Sequence, residues 1–420
     1  MTQRTDATWG KDPHPLISLE CAWQRIGDDL KPLDPETVTF DEAAGRVLAS
    51  PVIASEDYPP FNKAMMDGFA VRAGDCETPG VELEVLGLVA AGRPGDQTVG
   101  DRQAVRINTG APVPDGADSV VRVEDTSPSE DENRVMIHVV AKPGRHIAKQ
   151  GTDRRTGDIL LASPIRLGSA QLAAAASAGA ASLCAYPRPT VAIATTGDEL
   201  VRPGSPKKPG QIYESNGPML AELMRQFGAT PHESDIVRDE SGDLTAKLTE
   251  ALRHPVVIAV GGMSMGTHDL VPRTFADLGV DWRFHGVKIR PGKPVAYGRG
   301  PDGQHVFGLP GNPVSAFVCA WLFVRMVVRG LQGLPAIPPR RWRATLTRDL
   351  KAARDDRPAF VPGRVWNNPE QGMVAEPCGW SGSADLFGLA PANALLVRDQ
   401  PTEVASAGSA VDVIFISTDA

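Results

Sequence analysis

In PVVIAVGGMSMGTHD (255–269), an apolar run of strand length, Pro255–Val260, ends in a glycine-rich turn. Upstream, TVAIATT (190–196) is a second such run. After a loop comes Gly217–Phe227, where Met219, Leu220, Leu223, Met224 and Phe227 fall on one helical face. ESDIVRD (233–239) reads as a third strand, and Leu244, Leu248 and Leu252 are spaced for a helix over Gly242–Arg253. Beyond the turn the pattern gives a helix through Phe275–Leu278, strands near Trp282–Val287 and Val306–Leu309, and a long apolar helix over Asn312–Gly330. Strands alternating with helices at this spacing predict right-handed βαβ units and a parallel sheet covered on both faces.

The flanks read differently. Ser18–Leu30 is an amphipathic opening helix with Ser18 as cap. Within EDYPPFNKAMMDGFAVRAGD (56–75), Pro59 and Pro60 exclude helix, and Asp67-Gly68 marks a turn before a short strand, Phe69–Val71. Short β runs continue to about residue 140, and Leu167–Ala181 is a further helix. PAIPPRR (335–341) is a linker, followed by alternating segments such as WRATL, AFVPGRVW and AVDVIFI. The fold class expected is therefore α/β multidomain. It has a central parallel-sheet α/β domain (188–334), a β-rich inserted domain (59–140), an N-terminal linking domain (1–58 with 141–187) and a C-terminal β-barrel-like domain (335–420).

Composition narrows the function. In 420 residues, 42 glycines and 37 prolines supply turns and loops of close backbone approach. A net charge of −8 argues against a broad nucleic-acid surface. Five scattered cysteines with no CxxC spacing argue against a disulfide framework or a zinc site. Ser315–Leu331 is apolar but carries Arg325 and Arg329 and is short for a membrane span. A soluble, cytoplasmic protein is expected.

Several motifs carry chemistry. Gly261, Gly262, Ser264 and Gly266 would let backbone N–H groups converge on an anion at the carboxyl end of a strand, where open α/β sheets bind ligands. A tight strand–helix turn would explain the glycines alone. Asp198 and Glu199 in TTGDEL, with Asp239 and Asp269, place four carboxylates at strand ends of one sheet. Such oxygens suit Mg²⁺ held partly by substrate phosphates. In VKIRPGKPVAYG (287–298), Lys288, Arg290 and Lys293 surround a Pro-Gly turn. In VFGLPGNPVSAF (306–317), Pro313 opens a helix with Asn312 as cap and Ser315 nearby. Asp67 and Thr109 lie in the insertion, in AMMDGFAV and INTGAPVPDGAD.

In this order, PPFNKAMMDGFAV, INTGAPVPDGAD, TTGDEL, GGMSMGTHD, PGKP and GLPGNPVSA resemble the molybdopterin molybdenumtransferase family (MoeA type, related to the gephyrin E domain). SGSADLFGLAPANAL (381–395) resembles it more weakly. The resemblance implies a transferase of molybdenum cofactor biosynthesis. It would insert molybdate into adenylylated molybdopterin with Mg²⁺-dependent release of AMP.

By motif, it implies that Asp67 and Thr109 line the metal-insertion site, and that Glu199, Asp239 and Asp269 serve Mg²⁺ and ligand binding, with Asp198 as a further metal candidate. It implies that Gly261, Gly262, Ser264 and Gly266 hold the pterin phosphate, and that Lys293, Asn312, Ser315 and Arg290 belong to the pterin-nucleotide pocket. Asp67, Thr109, Glu199 and Asp269 are the catalytic candidates. The chain departs from the family at Ala64-Met65, where Ser-Ala is usual, and at Arg290, where Lys is common. The resemblance also implies an elongated homodimer. The expectation is a site shared between subunits, with Asp67 of one facing Asp269 of the other, and a molybdopterin adenylyltransferase as a possible partner. A molybdopterin adenylyltransferase activity and a non-catalytic scaffold stay open as alternatives.

Overall fold

The computed structural model describes residues 16–93, 95–233, 236–237, 241–262, 270–353 and 355–417, with the side chains of 241–243 excepted. The chain divides into two compact units, Met1–Val38 with Gly45–Ala49 and Cys184–Ala420, and Thr39–Ala44 with Ser50–Leu183.

In the first unit, the apolar runs become strands Thr190–Thr195 and Val256–Val260, paired in parallel from Val191 opposite Val256 to Thr195 opposite Val260. The strand His305–Leu309 lies parallel to the second of these. Alternate side chains leave the two faces of the sheet. Val191, Ile193, Val256 and Ile258 pack with Leu220, Met224 and Phe227 of the helix Asn216–Phe227. Ala192, Ala194, Val257 and Ala259 pack with Leu244, Leu248, Val271 and Phe275 on the other face. The sheet is thus covered on both sides, and its carboxyl edge is the place where loops are free to hold a ligand.

One expectation needs correction. The sheet is mixed rather than wholly parallel: Ala296–Arg299 and Asp281–His285 complete it in antiparallel order. Their connections, 286–295 and 300–304, contain no helix, and a short link can join only antiparallel neighbours. A strand lies at Thr230–Glu233, on the sheet edge; of the strand expected over 233–239, residues 234–235 and 238–239 lie outside the described residues. Val237 adds only an isolated bridge to Thr196.

Pro313–Leu331 is one continuous helical run, 83% buried, with a π turn at Ala320–Val324. It is the core helix of this unit, its Phe323 packed edge-on against Phe284, with Phe307 in the same cluster. Beyond the linker, five strands close a barrel in the order Trp342–Leu346, Gly372–Pro377, Ala359–Asn368, Ala394–Arg398 and Ala410–Phe415. Its Phe360, Leu395, Val397 and Ile414 join the same hydrophobic cluster as the long helix. A shared apolar core therefore fixes the barrel against the α/β sheet.

The second unit is built on a six-stranded sheet ordered Ser119–Arg122, Gly68–Val71, Gln103–Ile107, Val81–Val89, Arg134–Ile137 and Thr126–Pro128. Ala70, Val105, Ile107 and Val120 fill one face, and Val71, Ala104, Val121 and Ile137 fill the other. A helix follows at Ser169–Ser177.

Candidate active site

The turn PGKP leaves Arg290 and Lys293 at the edge of a cavity of about 1000 Å³. Backbone bonds hold this turn at both ends. Arg290 donates its N–H to the Pro358 carbonyl (2.9 Å) and accepts from Phe360 (2.8 Å), while Lys293 accepts from Val287 (2.9 Å). The Arg290 backbone is thereby paired with the start of the barrel strand Ala359–Asn368.

The second wall is the start of the long helix. Pro313 has no N–H, and Val314 spends its own on the Ser383 carbonyl (3.0 Å). Ser315, 4% exposed, lines the cavity, and its N–H has no partner among the described residues. A backbone donor and a hydroxyl at the positive end of a helix suit an oxyanion.

Asn312 occupies the cap position in its backbone, but its side chain does not cap the helix. Its Nδ2 donates to Ser383 Oγ instead (3.0 Å), because the barrel loop 379–388 lies within reach. That loop is shaped by Asp385, whose carboxylate accepts from Ser381 N–H (2.9 Å), Ser381 Oγ (3.0 Å) and Gly388 N–H (2.9 Å). These donors hold the Asp385 carboxyl below the usual range. The Ser383 hydroxyl, accepting from Asn312, keeps its proton to donate into the cavity.

The third wall is barrel chain that motif reading did not single out: Lys351, Asp355, Arg357, Trp380 and Arg398. Arg357 forks onto Asp355 through Nε (3.0 Å) and Nη2 (2.7 Å) and reaches the Ile289 carbonyl through Nη1 (3.3 Å). Asp355 also stands 3.8 Å from Arg290. Hydrogen bonding to Arg357 lowers the Asp355 pKa and raises that of Arg357, so both stay charged at neutral pH. Arg398 is committed to the carbonyls of Leu350, Gln400 and Glu403. No local motif marks this wall, since its residues meet Arg290 only through the packing of barrel on sheet.

Four sequence-derived residues, Arg290, Lys293, Asn312 and Ser315, thus line one cavity. Gly261 and Gly262 end the strand Val256–Val260 at the same edge, with φ of +90° and +59°. A Cβ on Gly261 would stand 2.5 Å from the Thr196 carbonyl oxygen, so only glycine fits this crossing. A Cβ on Gly311 would stand 3.7 Å from Gly261 Cα, which places the two loops side by side.

Asp198 and Glu199 are exposed on the turn after Thr190–Thr195, away from the cavity lining. Ile212 donates to the Glu199 carbonyl (2.9 Å), fixing that turn to a small parallel ribbon. Among the described residues no three His, Cys, Asp or Glu side chains form a closed metal cluster. Two exposed carboxylates on a fixed turn suit Mg²⁺, which takes one or two carboxylates and completes its shell with water and substrate phosphate. Nearby Glu214 is buried and accepts from Gly217 N–H at 2.7 Å, which makes it a helix-start acceptor. Burial raises its pKa.

In the second unit, Asp67 and Thr109 are brought together: the Asp67 carboxylate accepts from Thr109 N–H at 2.6 Å. Both are exposed, as are Met65 and Met66 beside them, while Ala64 is buried. Asp239, Ser264, Gly266 and Asp269 lie outside the described residues.

Three family descriptions match the chain in order. Residues 17–179 match the MoeA N-terminal region (domain I and II), 192–330 a probable molybdopterin binding domain, and 343–416 the MoeA C-terminal region (domain IV). The chain is 33% identical over 405 residues to a molybdopterin molybdenumtransferase of Staphylococcus epidermidis, covering 95% of each. It is 35% identical over 392 residues to one from a Nostoc species, covering 91% of this chain and 88% of the other. Among solved structures, a molybdopterin biosynthesis MoeA protein from Pyrococcus horikosii aligns with a TM-score of 0.81 at 30% identity, over 96% of this chain and 99% of that one.

Proposed function

The chain belongs to the molybdopterin molybdenumtransferase (MoeA) family and is an enzyme of molybdenum cofactor biosynthesis; from that premise we propose that it inserts molybdate into the dithiolene of adenylylated molybdopterin, with Mg²⁺-dependent release of AMP. One observation carries the reading. Arg290, Lys293 and Ser315 of the α/β domain meet Arg357 and Ser383 of the barrel around a single cavity. Both the molybdate dianion and a phosphoanhydride need cations and fixed donors on several sides. About 1000 Å³ also accommodates a ligand of nucleotide size.

In this mechanism Arg290, Lys293 and Arg357 supply positive charge to the oxyanion. Ser315 contributes its hydroxyl and backbone N–H, and Ser383 its hydroxyl. Asn312 is a positioning residue, since it orients Ser383. Gly261 and Gly262 leave room for backbone approach by the pterin phosphate, and the motif match adds Ser264 and Gly266. Asp198 and Glu199, with Asp239, would hold Mg²⁺. When bound, Mg²⁺ screens the phosphoanhydride charge from these carboxylates. Asp67, ordered by its bond to Thr109, serves the metal-insertion step, and Asp269 serves ligand binding. The working form is a cytoplasmic homodimer that receives its nucleotide substrate from a molybdopterin adenylyltransferase.

The test is chromatographic detection of AMP from adenylylated molybdopterin, with molybdate and Mg²⁺ each supplied or withheld. AMP only when both are present supports the reading. Pyrophosphate formed from ATP and free molybdopterin would mark an adenylyltransferase instead, and absence of both products would mark a non-catalytic role.

A further inference from the structure

The cavity contains a carboxylate that an anion-binding site has no evident use for. Asp355 is 35% exposed in its side chain, and among the described residues its partners are Arg357, from whose backbone N–H it also accepts (3.2 Å), and Arg290. That backbone bond stays within its own loop, two residues along the chain. The other lining aspartate, Asp349, is employed in structure, accepting from Ala407 N–H at 2.8 Å.

Both arginines have an anchor besides Asp355. Arg357 keeps a separate anchor on the Ile289 carbonyl, and the Arg290 backbone is held by Pro358 and Phe360. Asp355 also sits where a ligand oxyanion would sit, on the guanidinium fork and beside the second cation. The fork accepts a carboxylate or a tetrahedral oxyanion equally well in shape.

Building on the anion pocket described under Proposed function, we propose that Asp355 is a resident competitor for the oxyanion seat. Its carboxylate occupies Arg290 and Arg357 until a tetrahedral dianion displaces it. The exchange favours the dianion because, at equal distance, its attraction to the same cations is twice that of a carboxylate. Displacement frees Asp355 to turn toward solvent, while Arg357 stays on Ile289. The residue therefore sets the threshold of affinity for the incoming dianion and keeps weaker monoanions from occupying the arginines.

Calorimetric titration of the full chain with sodium molybdate at fixed ionic strength tests this, comparing wild type with Asp355→Asn and Lys293→Ala. Thermal melts verify that each variant is folded. The proposal expects Asp355→Asn to bind molybdate about three- to tenfold more tightly and Lys293→Ala to bind at least about fivefold more weakly. Unchanged or weaker binding in Asp355→Asn, with Lys293→Ala weakened, would overturn the competitor role and leave the pocket intact. If neither substitution alters molybdate binding, or if no chain binds it, the pocket reading falls and the competitor with it.

Discussion

Replacing Gly292 by alanine is expected to destabilise the first unit and loosen the loop that carries Lys293. Gly292 has φ of +113°, a conformation L residues avoid, and an added Cβ would stand 2.6 Å from Cys319 Sγ and 3.1 Å from Ile289 Cδ1. Cys319 and Ile289 are both fully buried, so neither can swing aside. The Gly292 carbonyl accepts from Val295 N–H at 3.2 Å, which ties the loop below the cavity. The backbone conformation costs about 1–2 kcal/mol, and the overlap with Sγ costs about 1–3 kcal/mol. A combined loss of about 2–5 kcal/mol lowers the melting temperature by roughly 5–15 °C.

Differential scanning calorimetry on Gly292→Ala, Cys319→Ala and the double variant separates the two causes. Removing Sγ relieves the overlap but not the backbone cost. The double variant should therefore be more stable than the sum of the single effects by about 1–3 kcal/mol. A Gly292→Ala melting temperature within about 1 °C of wild type would refute the reasoning, since it corresponds to well under 1 kcal/mol. So would strict additivity.

Three further outcomes are expected. Ser315→Ala removes one hydroxyl donor from the cavity and should weaken molybdate binding by about fivefold, equivalent to about 1 kcal/mol; calorimetry with an unchanged Kd would count against that donor. Glu199→Gln should lose Mg²⁺-dependent AMP release while keeping molybdate affinity, and excess EDTA should stop AMP release by the wild type. His305, buried against Tyr297 and Arg299, has its pKa pushed down to about 3 by desolvation and, secondarily, by Arg299. The folded state therefore binds fewer protons than the unfolded one between about pH 3 and 6.5, and stability is full above that window and falls as pH is lowered through it. Urea unfolding midpoints of His305→Gln should fall less steeply across the window than those of wild type, and parallel slopes would exclude the effect.

What the sequence disclosed was local. Val256–Val260 and Thr190–Thr195 are apolar on both faces, so a doubly covered sheet was legible from them alone. Thr230–Glu233 was not, because Thr, Pro, His and Glu are edge-strand residues without an apolar signature. Of the antiparallel pair, the strand near Trp282–Val287 was legible, while Ala296–Arg299 was missed because it carries Gly298 and Arg299 within only four residues. At the site, Arg290, Lys293, Asn312 and Ser315 stood out because turn and helix-start chemistry is written in neighbouring residues. Arg357 was silent for the opposite reason, and Ser383 entered only within the weaker motif 381–395. Ser383 lies 71 residues from Asn312, and Arg357 lies 68 from Ile289, so only the packing of barrel on sheet brings them into the cavity. Asp355 reads in sequence as one acid in a charged loop, and its meaning comes from the two arginines it faces.

The most direct test of the central claim is the stoichiometry of a single turnover. Adenylylated molybdopterin, molybdate and Mg²⁺ are mixed with excess enzyme, AMP is quantified after rapid quench, and pterin-bound molybdenum is counted by elemental mass spectrometry. Coupled insertion predicts one AMP released for each molybdenum bound, with neither product in the absence of the other. AMP released at the same rate without molybdate, or molybdenum bound without AMP, would contradict it.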